Sequence, residues 1–274
     1  MKYPSEADRG PASAPGKRLR TLLLPLAVGA LLLAVLTLMA AETWKDYKST
    51  LINSQTQQME LVVQSISDSI RFSLEEYTDR LDAAAGKLRE NPSQPLNLSR
   101  SDSITDLWVE DAEGNIVYSR YGIRLVCDVL LTQDGKISYW QYHQGDRHYL
   151  VLKEPVDDRA VCLVVDSEAV YDQLVSDIHV GTNGYIVIKT ADNRIVMHPE
   201  PAQWGIDILE GRRKLYQKYK LDMSSLEELL TAQLTQPSGI MTYYSYWWTD
   251  PDLPRVQKIS AFRKLELGDS FWTV

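Results

Sequence analysis

The residues of this chain best suited to chemistry form two adjoining runs, Tyr139-Trp140-Gln141-Tyr142-His143 and Arg147-His148-Tyr149, followed by Asp157 and Asp166. Aromatic rings with hydrogen-bonding tips, one guanidinium and nearby carboxylates suit a small-molecule site, which is mostly apolar with a few convergent polar groups. Arg147 can hold a ligand carboxylate through two parallel hydrogen bonds. Asp157 or Asp166 can accept from an amine. Trp108 and Tyr118, on an upstream hairpin, complete the candidate set. In the competing reading, alternate rings build a sheet core and the others face water. A one-residue slip of register exchanges the two faces, so both readings stand at this level. A second aromatic run, Tyr243-Tyr244-Ser245-Tyr246-Trp247-Trp248, is either another pocket wall or an exposed strand.

Catalysis finds no comparable support. The chain has no Gly-x-Ser-x-Gly, no phosphate-binding loop and no His-Glu-x-x-His. Its four histidines, His143, His148, His179 and His198, do not fall at metal-ligand spacing with cysteines or carboxylates. Asp157-Asp158 and Glu227-Glu228 read as solvated acids. No enzyme activity is expected of these residues, and no cofactor is called for. Cys127 and Cys162 are either small buried apolar residues or, in an oxidising compartment, a disulfide.

Short strands position the candidates. Ile104–Glu110 and Ile116–Ser119 read as a hairpin turning at Asp111–Asn115. Ile137–His143 and His148–Lys153 read as a second, turning at Gly145-Asp146. Ala160–Val165 is nearly all apolar and reads as a central strand. A helix is expected over Ser167–Ile178. The first hairpin then recurs at a fixed offset: Ile186–His198 repeats Leu107–Ser119, with Ile195-Val196 standing where Ile116-Val117 stood. A helix at Ser224–Leu234 and strands at Gly239–Trp247, Val256–Phe262 and Ser270–Val274 follow. Two tandem α/β units with antiparallel sheets are the economical reading.

Ahead of them, Glu42 to Asn91 contains no proline and a single glycine, Gly86. Ile70, Leu74, Tyr77, Leu81, Ala84 and Leu88 follow heptad spacing, which predicts a long helix ending near Asn91-Pro92. Its seam either packs on the chain's own domain or pairs with a second copy; a homodimer is expected, and both arrangements can hold at different heights. Before this helix, Leu22–Ala41 is an apolar run without a single charge. At about 1.5 Å rise per residue it spans about 30 Å, the thickness of a bilayer's hydrocarbon core. Lys17, Arg18 and Arg20 at its leading edge predict a cytoplasmic N-terminus, with Tyr3–Lys17 a disordered tail. A cleaved signal peptide is the alternative, but the run exceeds the usual apolar region of about 7–15 residues. Net charge is −8 overall, and acidic residues outnumber basic ones still more strongly beyond the run. An acidic exterior argues against nucleic acid or anionic lipid as partners.

Gly181-Thr182-Asn183-Gly184-Tyr185-Ile186-Val187-Ile188, then Asp192-Asn193-Arg194-Ile195-Val196-Met197-His198-Pro199, resembles the Cache sensor superfamily. Gly239 with Tyr243-Tyr244, Lys258–Phe262 and Ser270–Val274 are similar to that family's closing strands. The resemblance is good over 171–274 and holds in outline over 92–170. It implies an α+β double Cache receptor: residues 1–21 a cytoplasmic basic tail, 22–41 a transmembrane helix and 42–91 a stalk helix. Residues 92–170 would be a membrane-distal PAS-like module and 171–274 a membrane-proximal one. The implied function is extracytoplasmic small-molecule sensing at the plasma or inner membrane. Output would pass to a cytoplasmic module beyond Val274, of the kind found in histidine kinases, diguanylate cyclases or chemoreceptors. The alternatives are a membrane-anchored extracytoplasmic enzyme or a structural scaffold domain. Trp108, Tyr118, Tyr139, Trp140, Tyr142, Arg147, Tyr149, Asp157 and Asp166 are the expected ligand-binding residues, for an amino acid, organic acid or amine. Arg147-His148-Tyr149 lacks the tryptophan of the family's amino-acid-binding run, so amino-acid recognition is not carried over.

Overall fold

The computed structural model describes residues 15–92, 96, 101–175, 178, 184–247, 252 and 254–274, with side chains from residue 25 on. Residues 1–14 of the expected tail, His179, Gly181–Asn183 and Trp248 lie outside that set. The chain divides into two units, Met1–Gln55 and Thr56–Val274. In the first, α1 (Pro15–Glu90) begins at a proline, whose fixed φ suits a first helical position. Pro15, Gly16 and Lys17 of the expected disordered tail thus belong to α1 instead, since a proline at the first helical position is readily continued by the residues after it. An 18-residue window of α1 has mean hydropathy 2.0 and none of it is buried, which is long and apolar enough to cross a membrane.

In the second unit α1 buries one stripe: Ile66, Ile70, Leu74, Tyr77, Leu81, Ala84, Ala85 and Leu88. These recur at steps of three and four, one face of a helix. The heptad seam thus packs on the chain's own sheet. That sheet is built from β1 (Ile104–Glu110), β2 (Ile116–Ser119), β3 (Val126–Asp134), β4 (Ile137–Gln144), β5 (Arg147–Val156) and β6 (Arg159–Asp166). Its order is β2-β1-β6-β5-β4-β3, with every pairing antiparallel. β6 is central, as its apolar run predicts. β3 is an edge strand absent from the sequence expectation; its largely exposed residues lack the alternation that marks a half-buried strand.

After α2 (Ser167–Val175), a second sheet combines β7 (Ile188–Thr190) and β8 (Ile195–Met197) with β9 (Ser238–Ser245), β10 (Val256–Leu267) and β11 (Ser270–Thr273). Between them lie α3 (Glu210–Leu215), also unanticipated, and α4 (Ser224–Thr235). The order β8-β7-β11-β10-β9 repeats β2-β1-β6-β5-β4, so the tandem units differ by one added edge strand. In both, the recurring hairpin forms one edge and the last strand pairs beside it. Two residues with positive φ, Gly114 (82°) and Asn193 (65°), turn the paired hairpins at equivalent places.

Alternation along the strands divides the first sheet. Leu107, Val109, Ile137, Tyr139, Leu150, Leu152, Val161, Leu163 and Val165 face the α1 stripe. Burying each large apolar side chain there contributes about 1.5–3 kcal/mol. Ile188, Leu265, Leu267 and Trp272 of the second sheet join the same core. Trp272 meets Tyr139 edge-on at 5.8 Å and donates from Nε1 to Thr132 Oγ1, tying the two sheets together. At the helix end, the wholly buried Glu154 carboxylate pairs with Arg89 (2.6 Å) and Lys136 (2.7 Å). Lys136 also reaches Asp82, so the β4–β5 hairpin is fastened to α1 by charge as well as by packing. Cys127 and Cys162 are both free thiols, the first exposed and the second buried, so the disulfide reading is not the one observed.

Replacing Leu81, which is wholly buried, with Ala is expected to cost about 3 kcal/mol. Phe72→Ala, at a 70 % exposed position, is expected to cost under about 0.5 kcal/mol. Urea unfolding of the detergent-solubilised chain measures both; equal costs would contradict the orientation of the stripe.

Candidate functional site

The face of the first sheet turned away from α1 carries the candidate site. Alternation along β1, β4, β5 and β6 brings Trp108, Tyr142, Tyr149, Val151, Cys162 and Val164 into one cluster, with Trp140 packed at its margin. Antiparallel register sets Tyr142 opposite Tyr149, Trp140 opposite Val151 and Trp108 opposite Cys162. Neighbouring rings support one another: Trp108 and Tyr142 meet edge-on at 5.9 Å.

Charge is set into this aromatic layer. Lys153 Nζ lies 5.1 Å from the ring centres of both Trp140 and Tyr142, a cation held against two π faces. It pairs with Glu110 at 3.0 Å, and Trp108 donates from Nε1 to the same carboxylate at 2.9 Å. Burial, reinforced by the Glu110 charge, pushes the Tyr142 phenol well above its ordinary range. Burial likewise raises the Cys162 thiol, with Glu110 adding to it. Both groups therefore stay neutral and protonated.

At the margin of the face, Arg147 donates to Asp166 at 2.6 Å. The Arg147 side chain is 60 % exposed and the Asp166 side chain 6 %, so the guanidinium is free to swing while the carboxylate is fixed. Asp166 is fixed by its other oxygen, which accepts from the Glu168 and Ala169 N–H groups at the start of α2. The loop leaving β2 comes over the same end of the sheet, where Ile123 and Leu125 pack on the cluster. Asp106, paired with Val164 across β1 and β6, holds this loop. Its buried carboxylate accepts from Ser119 Oγ (2.7 Å), Tyr121 N (2.9 Å) and Ile123 N (3.1 Å).

Of the nine expected residues, six share this face: Trp108, Trp140, Tyr142, Arg147, Tyr149 and Asp166. Three lie elsewhere. Tyr139 is next to Trp140 in the strand and so points to the α1 core. Tyr118 packs on that core too and donates to the Leu96 carbonyl. Asp157 occupies the β5–β6 turn with φ 52°. Sequence reasoning missed Glu110, Lys153 and Asp106. The even spacing of Trp108 from Asp106 and Glu110 was the available signal, since residues two apart share a face. Among the described residues no cluster of three or more His, Cys, Asp or Glu could hold a metal ion.

The second aromatic run contributes to a separate layer. Tyr243 and Tyr246 pack with Tyr185 on the second sheet, beneath α4, while Tyr244 is exposed. His198, 1 % exposed, accepts at Nδ1 from the Glu200 N–H. Burial first, then the positive charge of Arg212, pushes this imidazole down to about 3.

Lys153→Met leaves the Glu110 carboxylate without its cation and is expected to cost about 2 kcal/mol, somewhat below the usual value because Lys153 is 16 % exposed. Adding Glu110→Gln should recover most of it in a double-mutant cycle; additive costs would contradict the pairing. An unfolded imidazole binds a proton near 6.5 and the folded His198 only near 3, so the unfolded state holds more protons between those values. Stability supplied by neutral His198 is thus full above about pH 6.5 and is lost as pH falls toward 3, by at most about 1.4 kcal/mol per pH unit. His198→Gln should flatten that slope in unfolding curves taken at pH values on either side of about 5.5; an unchanged slope would be evidence against it.

Neither a protein-family model nor a curated protein matches this sequence. Solved structures do. The ligand-binding domain of the Pseudomonas fluorescens chemoreceptor CtaA, in complex with L-valine, aligns with a TM-score of 0.51 at 13 % identity, over 79 % of this chain and 94 % of that one. The same domain with L-serine aligns at 0.50 and 11 % identity, over 84 % and 96 %. The periplasmic sensory domain of the Campylobacter jejuni chemoreceptor Tlp1 aligns at 0.48 and 11 % identity, over 81 % and 94 %. At this identity the likeness to the CtaA domain is one of fold. The chain shares the fold of that ligand-binding domain, an α+β architecture with two antiparallel sheets as its sequence predicts.

Proposed function

We propose that this chain is the extracytoplasmic small-molecule sensing part of a membrane-anchored signal-transduction receptor. The observation that carries the reading is the first-sheet face, where aromatic walls, the Glu110–Lys153 pair and the Arg147–Asp166 pair converge beside the loop fastened by Asp106. A fold like that of known ligand-binding domains supports it, as does an apolar helix long enough to anchor the chain. The basic cluster Lys17, Arg18 and Arg20 favours a cytoplasmic leading end for the anchor, with the two sheets outside.

The ligand class follows from the charges. Arg147 can turn from Asp166 to a ligand carboxylate, leaving Asp166 to accept from a ligand ammonium. A small zwitterion or amine-bearing acid satisfies both groups, with its apolar part on Tyr149 and Tyr142. L-valine and L-serine, bound in the CtaA domain, belong to that class. Their recognition here rests on Arg147 and Asp166 rather than on the likeness.

Ligand state would reach α1 through β5. Lys153 and Glu154 are consecutive, so one points into the site and the other to Arg89 and Lys136 at the helix. A ligand that shifts β5 shifts both pairs, and α1 carries the change toward the anchor. A homodimer belongs to this proposal in revised form. The stripe from Ile66 to Leu88 is occupied, so a second copy would meet α1 on the side where Leu61 and Phe72 are exposed.

A thermal-shift screen of the detergent-solubilised chain against amino acids, organic acids, amines and purines tests the reading. A true ligand at 100 times its Kd is expected to stabilise by about 2.7 kcal/mol. Arg147→Ala should weaken it about tenfold or more, and so should Asp166→Asn, which retains the α2 cap. Turnover of a compound without stabilisation would favour an anchored enzyme instead, and no response from any class would contradict the sensor.

A further inference from the structure

Past Ala41, α1 continues through a segment unlike the apolar run before it. Successive residues of a helix step about 100° around its axis. By that step Trp44, Lys45, Tyr47, Lys48, Leu51 and Ile52 fall within about 160° of arc. The rest of the circumference takes Glu42, Thr43, Asp46, Ser49, Thr50 and Asn53, all of them polar. Aromatic, aliphatic and cationic groups therefore share one side of the helix, and both acids lie on the other.

The two rings have no protein to pack on. Trp44 is 68 % exposed and Tyr47 60 %, although rings of this size carry a large hydrophobic payload. One turn apart, they meet only each other, with centres 6.1 Å apart and planes inclined by 34°. Their height along the axis suits a different neighbour. Trp44 stands about 4.5 Å beyond Ala41 and Tyr47 about 9 Å, while the headgroup layer adds about 5–7 Å to each side of a bilayer's hydrocarbon core. Side chains lean toward the N-terminus of their helix, here back toward the apolar run, which brings the Tyr47 ring to that layer as well. Lys45 and Lys48 lean the same way and carry their ammonium groups to the level of lipid phosphates. At the edge of the run the Thr43 hydroxyl donates to the Met39 carbonyl at 2.8 Å, as Thr37 does to Leu33 at 2.6 Å, so neither demands water.

We infer that Trp44, Lys45, Tyr47 and Lys48 form a docking surface for the phospholipid headgroup layer, on the opposite side of the membrane from Lys17, Arg18 and Arg20. The rings sit at the depth of the glycerol and ester groups, where an apolar body and a polar tip are both satisfied, and the two lysines meet phosphates. Glu42 and Asp46 stand on the other side of the helix, so the net acidity of the chain beyond the run does not oppose this contact. A one-sided surface tilts α1 toward its Trp44 side and fixes how far the helix rises from the bilayer. The docking rests on the reading of Leu22–Ala41 as the anchor and adds a lipid contact outside that run.

Tryptophan quenching by brominated phosphatidylcholine tests this, with the full chain reconstituted in vesicles. Bromines near the headgroup end of the acyl chains are expected to quench more than bromines near the bilayer centre. Trp44→Phe, at an exposed helical position, should remove that quenching. A chain that floats with the vesicles but is quenched equally in wild type and Trp44→Phe would overturn the inference and leave the anchor standing. A chain that does not float with them would overturn both. Lys45→Glu with Lys48→Glu should reduce the shallow quenching about twofold or more by drawing the ring outward, and unchanged quenching would overturn the phosphate contact and the inference with it. In a Cys127→Ser background, Trp44→Cys is expected to resist a short bis-maleimide in the same vesicles. Efficient cross-linking there to a second copy would give this side of α1 to a homodimer and overturn the lipid docking.

Discussion

A strand in a sheet has two faces, and in this protein the α1 stripe from Ile66 to Leu88 claims one of them. Period-two alternation then decides the rest of the first sheet without further freedom. Tyr139, Leu150 and Leu163 go to the helix; Trp140, Tyr142, Tyr149 and Cys162 go to the other side. The aromatic layer with its buried charges exists because the apolar side chains needed to hold α1 are already supplied by the alternate positions. Shifting register by one residue would put Lys153 and Glu110 into the core and expose Leu152 and Val109, so hydrophobic burial also fixes where the polar chemistry stands.

The same economy recurs in the second sheet. Trp272, Leu265 and Ile188 extend the common core, while Tyr185, Tyr243 and Lys258 occupy the face under α4. Trp272 against Tyr139 joins the two sheets through one shared apolar layer. The polar fastening is concentrated elsewhere. Glu154 with Arg89 and Lys136 holds the helix, Asp106 holds the loop over the first face, and Asp166 caps α2. Each of these carboxylates gathers more than one donor, and the latter two give the face turned away from α1 firm margins around the exposed Arg147 side chain.

Much of this could be read from the residues. The hairpins, the central strand at Ala160–Val165, the end of α1 at Asn91-Pro92 and the tandem repeat all carry local signals: a glycine turn, an apolar run, a proline, a fixed offset. β3 was hidden because an exposed edge strand has no alternating pattern, and α3 because six residues are too few to show a period. Six of the nine candidate side chains share a face. Aromatic character marked Tyr118 and Tyr139 as candidates as well, yet only the position of α1 says which parity is inward. The pairing of Lys153 with Glu110 was illegible for a related reason: it joins residues far apart in the chain and depends on β1 and β5 flanking β6.

The division of faces is tested most directly by hydroxyl-radical footprinting of the chain with and without the small molecule that stabilises it most. Protection should fall on Trp140 and Leu125, half-buried on the face turned away from α1, and leave the half-buried Tyr118 on the helix side unchanged. Protection of Tyr118 with no change at Trp140 and Leu125 would contradict the account.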